Sequence, residues 1–500
     1  MSTRTNERAS GHPALATIGR PRLFAGLAGS TRLDRVTHLT VHGPLPRPRL
    51  EEVTALAENI DLRGRGGAGF PFARKFRAVA EAARRRSQAP AVVVNGSEGE
   101  PSCLKDKELL RRAPHLVIDG ALLAAGALGA DRTVIAVTRA DVERSLREAV
   151  AERPPEERSV RVVRLPERFV TGEGTALVRG LETGLSLPSG RRVRTSESGL
   201  GGAPTLLSNT ETYAQLAVAA RMGALPYREV GLATEPGTVL LSVAGTHVVE
   251  TPTGVPLRDV LWLCGLDPGQ GVLVGGYHGR WLTAEAAYAV IVSREALTHH
   301  DATLGAGAVL PLPAATCPVG EVVRVARWMA DESAGQCGPC FLGLPAIADA
   351  LARAADGGGL AALDAVRDRM AGVRKRGACS HPDGTAGFVA SALVTFPEEF
   401  TDHALGRGCG RPVLGTLPLP DPVALDAPAP VPADVDGPRL VVDWTLCQGH
   451  ALCADILPGV VRLNADGYPA AASMPVPPPA RAQAVRAVRR CPALALRVAD

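Results

Sequence analysis

AVVVNGSEGEPSCLKDKELLRRAPHLVIDGALLAAGALGADRTVIAV, residues 91–137, decides the fold class. Ala91 to Val94 is a short, unbroken apolar run, the pattern of a strand buried on both faces. A long apolar helix follows from about Pro114 to Gly129, and Arg132 to Val137 reads as the next strand. Strand, helix, strand in that rhythm argues for a parallel sheet covered by helices.

Upstream, an amphipathic pattern from Glu51 to Glu58 predicts a helix that runs into the glycine-rich stretch Leu62-Arg63-Gly64-Arg65-Gly66-Gly67-Ala68-Gly69-Phe70. Residues 1 to about 45 lack sustained periodicity and are expected to form an arm or cap. Beyond Tyr227 the pattern shortens to alternating runs, Val239 to Val243, His247 to Glu250 and Gly271 to Val274, which predict a small β-rich module. From Glu321 the period is helical again, with Val322, Val325, Ala326 and Met329 on one face, and helices are expected to about Phe400. Gly406 to Pro438 is dominated by Pro, Ala and Gly and reads as a polyproline-like tether. A compact unit runs from Arg439 to the C-terminus.

Composition narrows the function classes. The chain has 500 residues, enough at roughly 150 per domain for about three domains. With 55 basic and 51 acidic residues the net charge is only +4, and aromatics make up 4%, which argues against nucleic-acid binding by a basic face or a stacking platform. Lysine occurs only at Lys75, Lys105, Lys107 and Lys375. The N-terminus has no apolar signal-peptide core, and the longest apolar stretch, Leu116 to Ala130, is interrupted by Asp119 and several glycines. No membrane insertion and a cytoplasmic location are therefore expected. Ten cysteines without an export signal point to thiols or metal ligands rather than disulfides.

Their spacing says which. Cys447-Gln448-Gly449-His450-Ala451-Leu452-Cys453 with a remote Cys491-Pro492 is the ligand layout of a small ferredoxin, since Cys-Pro is an iron–sulfur habit. Val441 to Trp444 and Tyr468 to Ala470 are the strands expected to frame it. A zinc site or unliganded thiols is the alternative. Cys337-Gly338-Pro339-Cys340 with Cys379 is a second thiol group, placed at a helix start whose N–H groups can donate to sulfur; a redox CxxC or a zinc half-site is equally compatible. The glycine-rich loop can approach a phosphate closely, with Lys75 or Arg65 supplying charge, although many such loops are simply tight turns. Cys103, Cys264, Cys317 and Cys409 have no partners at ligand spacing and read as core or surface thiols. His299 and His300 beside Asp301 read as a solvated loop.

In order, Leu62 to Pro71, then Asn95-Gly96-Ser97-Glu98-Gly99-Glu100-Pro101 with Lys105-Asp106, resembles the NADH- and FMN-binding subunit of respiratory complex I. Thr171-Gly172-Glu173-Gly174-Thr175-Ala176-Leu177, Gly202-Ala203-Pro204-Thr205 with Ser208-Asn209-Thr210-Glu211-Thr212, and Glu332-Ser333-Ala334-Gly335-Gln336-Cys337-Gly338-Pro339-Cys340 continue the resemblance over about residues 50–400. The same module occurs in NAD-linked hydrogenases and formate dehydrogenases. The tail resembles actinobacterial-type C-x2-H-x2-C ferredoxins, which commonly hold a 3Fe-4S cluster, so that type is favoured over 4Fe-4S there.

The resemblance implies a multidomain α/β protein. Residues 1–45 would be an N-terminal arm, 46–228 an α/β flavin and NADH domain, and 229–314 a β-grasp module of the soluble-ligand-binding type. Residues 315–405 would be a helical iron–sulfur bundle, 406–438 a linker and 439–500 a small α+β ferredoxin domain. It also implies roles. Gly64, Arg65, Gly66 and Gly67 with Lys75, Asn95 and Asn209 would hold FMN, and Phe70 and Phe76 would flank the nicotinamide nucleotide, NAD(H). Glu98 would act beside flavin and nicotinamide, and Glu173 belongs to the same cofactor-binding set. Cys337, Cys340 and Cys379 would hold a 4Fe-4S or 3Fe-4S cluster, and Cys447, Cys453 and Cys491 the second.

Departures from the family pattern stand at Ser97, Gly174, Ser208 and Arg194. Ala334 replaces the first cluster cysteine. The expected activity is NADH oxidation, with electrons passed singly through the clusters to the fused ferredoxin and then to a redox protein acceptor. That acceptor could be a cytochrome P450, a membrane cytochrome or another electron-transfer protein. The alternative is a non-enzymatic electron-relay component with a degenerate flavin site.

Overall fold

The computed structural model describes residues 3–4, 12–190, 193–420, 437–464 and 466–499. Its first sheet has four strands in the order Val160–Arg164, Arg132–Val137, Ala91–Gly96 and Thr205–Asn209, all parallel. Val92, Val93 and Val94 are fully buried because helices cover both faces, which is why this strand is apolar without alternation. Pro114–Leu128 and Thr210–Met222 pack together on one side. The glycine-rich loop leads into Phe72–Arg86, whose Phe72, Phe76 and Val79 enter the same core.

A second, mixed sheet of seven strands runs Thr3–Arg4, Ala14–Thr17, His247–Pro252, Thr238–Val243, Ala308–Pro311, Gly271–Val274 and Arg280–Thr283. Here the expected N-terminal arm is corrected. Ala14–Thr17 pairs in parallel with His247–Glu250, and Leu23, Phe24, Leu27 and Leu33 lie in the core of the first sheet. Backbone N–H groups of Arg22, Leu23 and Phe24 donate to the buried Glu250 carboxylate at 2.9–3.1 Å. The segment therefore joins the two sheets. It escaped the sequence because four residues are too few to show alternation.

Helices Pro318–Asp331, Leu344–Ala355, Leu360–Val373, His381–Thr395 and Pro397–Ala404 share a core of Val322, Ile347, Leu351, Val366 and Phe388. The tether is corrected in its first half, residues 406–420. Leu417 is fully buried in that core, and the Cys317 N–H donates to Pro412 O at 2.8 Å. The buried Glu321 carboxylate accepts N–H groups from Gly415 (2.6 Å), Thr416 (3.0 Å) and Leu417 (3.3 Å). A buried carboxylate needs such donors, and a proline-rich strand without ladder partners has N–H groups to spare. Residues 421–436 of the expected tether lie outside the described residues.

The C-terminal unit is a three-stranded antiparallel sheet, Ser473–Pro475, Arg439–Val442 and Leu496–Ala499, covered by helix Arg481–Arg490. The framing strand expected at Tyr468–Ala470 is only a bridge, Leu463 to Pro469; its role falls to Ser473–Pro475 and the C-terminal strand.

Candidate redox sites

The glycine-rich loop forms one wall of a cavity of about 440 Å³ between the two sheets, with Gly64, Arg65, Gly67, Lys105, Glu211 and Arg294 in its lining. The Gly64 N–H donates to Phe70 O (3.0 Å), and the Arg65 N–H to Thr212 Oγ1 (3.0 Å), which fixes the loop against the start of helix Thr210–Met222. Gly66 faces Asn209 so closely that a Cβ there would stand 3.0 Å from the asparagine Cβ. Gly67, at φ 132°, needs the backbone freedom of glycine. A cradle of small residues with exposed backbone, next to Arg65 and Arg294, suits a phosphorylated planar cofactor.

Beneath the cavity lies a buried charge network. Lys105 Nζ contacts Glu211 Oε2 at 3.0 Å and Asp106 Oδ1 at 2.8 Å. Burial disfavours its charge, but Asp106 and Glu211 outweigh that and raise the ammonium. Asn209 caps the helix through Glu211 N–H (3.0 Å) and donates to Asp106. Lys105 and Glu211 lie in family-like motifs that assigned them no role; the structure makes them cavity walls.

The other expected residues take varied positions. Lys75 Nζ donates to Leu207 O (2.9 Å), and burial lowers its ammonium. Asn95 donates to Gly172 O (2.9 Å) and accepts from Ser97 Oγ (2.6 Å), so Ser97 is tied to the strand end. Glu98 accepts N–H groups from Asp106 (3.2 Å) and Lys107 (3.1 Å) at the start of helix Lys105–Arg112. Burial and the nearby Asp106 charge push its carboxyl up to about 7. Phe70 is half-buried with the Arg74 guanidinium over its ring at 5.5 Å. Phe76 is corrected: it is fully buried against Phe72, ring centroids 5.7 Å apart, so no face is left for a nucleotide. Glu173 caps helix Gly174–Thr183, accepting from Thr175 N–H (2.9 Å) and Ala176 N–H (2.8 Å).

Cys337, Cys340 and Cys379 converge where Pro339–Gly343 leads into Leu344–Ala355. A hydrogen bond from Cys340 draws Cys337 down to about 6, and the same pairing raises Cys340. Burial pushes Cys379 up to about 12. Backbone N–H groups of Ala378, Ala334 and His381 point at the three sulfurs. Three thiols ringed by N–H donors fit an iron–sulfur cluster. In the C-terminal unit Cys447, Cys453 and Cys491 line one small hollow with His450 and Pro492, again a fitting donor set.

The thiol groups are neighbours. Asp443 is close enough to Cys337 for its charge to act on the thiol. Trp444, 3% exposed, covers Gly190, where an added Cβ would be 2.6 Å from the tryptophan Cβ. Gln336 Nε2 donates to Pro188 O at 3.1 Å, so the 188–190 loop touches both thiol-bearing segments.

Cys103 and Cys264 are buried, as expected of core thiols. For Cys317 and Cys409 the expectation is corrected, because folding brings them together with His403. Separations of 86 residues to His403 on one side and six on the other carry no local motif. His299 and His300 lie at an exposed turn.

Fold and donor sets define a multi-centre redox protein with one nucleotide-sized cavity and two thiol-lined cluster sites. Family models agree: the Nuo51 FMN-binding domain matches residues 57–218, the NADH-ubiquinone oxidoreductase-F iron-sulfur binding region matches 321–403, and a 4Fe-4S single cluster domain matches 440–498. The F subunit of the NADH-quinone oxidoreductase of Streptomyces coelicolor is 30% identical over 382 residues, 72% of this chain and 84% of the relative. The second such F subunit of Rhizobium meliloti is 28% identical over 383 residues, 72% of this chain and 90% of the relative. A solved NAD+-reducing [NiFe]-hydrogenase in the H2-reduced state superimposes with TM-score 0.66 at 28% identity, covering 77% of this chain and 67% of that one. The chain belongs to the family of NADH-quinone oxidoreductase F subunits.

Proposed function

We propose that the chain is an NADH-oxidising flavo-iron–sulfur oxidoreductase that delivers electrons through its own C-terminal ferredoxin unit to an external redox protein. The carrying observation is that one chain holds a nucleotide-sized cavity and two thiol trios, Cys337/Cys340/Cys379 and Cys447/Cys453/Cys491, with Asp443 of the C-terminal unit near enough to act on Cys337. FMN, when bound, supplies hydride acceptance from NADH and one-electron release, which iron–sulfur clusters can relay.

The protein's own part is binding and order. Gly64, Arg65 and Gly67 offer backbone to FMN, Gly66 allows close packing on Asn209, and Lys75 and Asn95 brace the sheet end beneath. Phe70, at the loop's edge, is assigned to the nicotinamide. Glu98 is assigned to the flavin side, where a carboxyl near neutrality can hold or release a proton. Glu173, whose charge reaches Cys379, orders the turn between cavity and bundle.

Supporting a β-grasp assignment for 229–314 are the Thr238–Val243/His247–Pro252 hairpin and its neighbour Ala308–Pro311. The flavin domain is assigned to 46–228, the bundle to 315–405 and the ferredoxin domain to 439–500. No described helix is long and apolar enough to cross a membrane. A cytoplasmic setting and a cytochrome P450 or membrane cytochrome as acceptor are part of this reading. With Ala334 and His450 replacing cysteines, we assign three thiolates to each cluster, with 3Fe-4S favoured in the ferredoxin unit.

A relay-only reading rests on Ser97, Gly174 and Ser208, which remove polar groups the family carries. An anaerobic absorbance spectrum before and after NADH, with acid-released flavin quantified, decides between the two. Flavin bands that bleach together with the broad iron–sulfur absorbance are expected. Cluster absorbance without flavin or NADH response would leave only the relay.

A further inference from the structure

Outside the flavin and cluster sites, three metal-capable side chains come together among the described residues. Cys317 opens helix Pro318–Asp331, His403 lies in the last turn of Pro397–Ala404, and Cys409 sits in the 406–420 strap. Their donor atoms all lie within 4.8 Å of one another, with Cys317 Sγ 3.4 Å from His403 Nε2. We propose that Cys317, His403 and Cys409 form a zinc site that pins the strap to the helical bundle.

The chemistry favours zinc over other ions. Two thiolates and an imidazole are ligands that Zn2+ takes readily, whereas Mg2+ and Ca2+ demand oxygen. Tetrahedral zinc, with Zn–S about 2.3 Å and Zn–N about 2.0–2.1 Å, holds its donors roughly 3.5–3.8 Å apart. The observed spacing needs little contraction to reach that. The two thiolate charges balance the cation, so no buried charge is left over. Cys317 is 3% exposed and its sulfur already accepts the Gly320 N–H at 3.3 Å, which orients it toward the partners. His403 and Cys409 are half-buried, so solvent can complete the fourth position.

The surroundings keep the geometry. The Cys317 N–H holds Pro412 O, and Arg411 pairs with Glu399 and Gln270, anchoring the strap just beyond the Cys409 sulfur. The three ligands come from two helix ends and the strap, so a metal here joins elements that are otherwise tied by hydrogen bonds and by the Leu417 contact. Its role is structural, since none of the three ligands lines the cavity or belongs to either thiol trio.

The test uses the full chain with its cofactors, purified without chelator, its zinc measured by mass spectrometry beside iron and flavin. About one zinc per chain is expected in the wild type, falling below about a tenth in Cys409→Ser and His403→Ala. Iron, flavin and NADH-driven dye reduction should not change in these variants. At the zinc absorption edge the wild type should show two sulfur neighbours at about 2.3 Å and one nitrogen at about 2.0–2.1 Å. Three results would overturn the proposal. They are no zinc in the wild type even after incubation with zinc sulfate under reducing conditions, zinc retained equally by both variants, or a Cys317–Cys409 disulfide in the freshly purified chain.

Discussion

Glu100 shows how one buried carboxyl makes stability depend on pH. It accepts from Tyr277 N–H (2.9 Å) and from Ser102 Oγ, and burial pushes it up to about 7. A folded value above the unfolded one means its contribution is full below about 4.5 and is lost as pH rises through about 7. Glu100→Gln is expected to gain about 3 kcal/mol over wild type at pH 8.5 relative to pH 5, read from urea unfolding at the two pH values. Equal differences at both would count against this reading. Ala334 offers a second test, since its backbone N–H faces Cys340 at the place where the family has a cysteine. Ala334→Cys should give the bundle cluster a fourth thiolate and so retention of iron on brief exposure to air, when the wild type loses it. Iron per chain and the paramagnetic resonance spectrum before and after air measure this.

At the scale of elements, one buried carboxylate gathers most of the hydrogen bonds in the second half of the strap. Glu321 is fully buried and receives the N–H groups of Gly415, Thr416 and Leu417, the Thr316 hydroxyl (2.9 Å) and Arg324 (2.7 Å). Glu321→Ala strands these donors, so a loss of about 2–4 kcal/mol and new protease cleavage between 406 and 420 are expected. Unchanged digestion would show that Leu417 packing and the ties at Arg411 and Pro412 hold the segment without Glu321. The strap also shows where sequence stops informing. Ala91–Val94, Arg132–Val137 and the Pro114 helix were legible because burial on both faces writes continuous apolar runs. The ferredoxin thiols were legible because a cluster demands fixed local spacing. Ala14–Thr17 and residues 406–420 were not, since their order comes from Glu250 and Glu321, each more than 90 residues away or on another element. The Cys317/His403/Cys409 group fails for the same reason, as does Phe76, whose aromatic character fits a core as well as a ligand face.

For the whole molecule, Trp444 packs on Gly190, in the loop whose Pro188 O accepts from Gln336 beside Cys337. Trp444→Ala is expected to lower electron delivery to a protein acceptor by on the order of tenfold, with NADH-driven dye reduction unchanged. Stopped-flow traces of the two clusters would show the second lagging the first; parallel loss of both activities would mean a folding defect instead. The strand Ala14–Thr17 bears on how the chain comes to be made. In the final sheet Thr17 stands opposite Glu250, 233 positions later. At ribosomal speeds of about 5–20 residues per second, its partner emerges roughly 12–47 seconds after it does. Through that interval Leu23, Phe24 and Leu27 have no finished surface to close upon. This segment is thus made long before its partner and is among the last to settle, and a nascent chain of this protein calls for a holding chaperone on it.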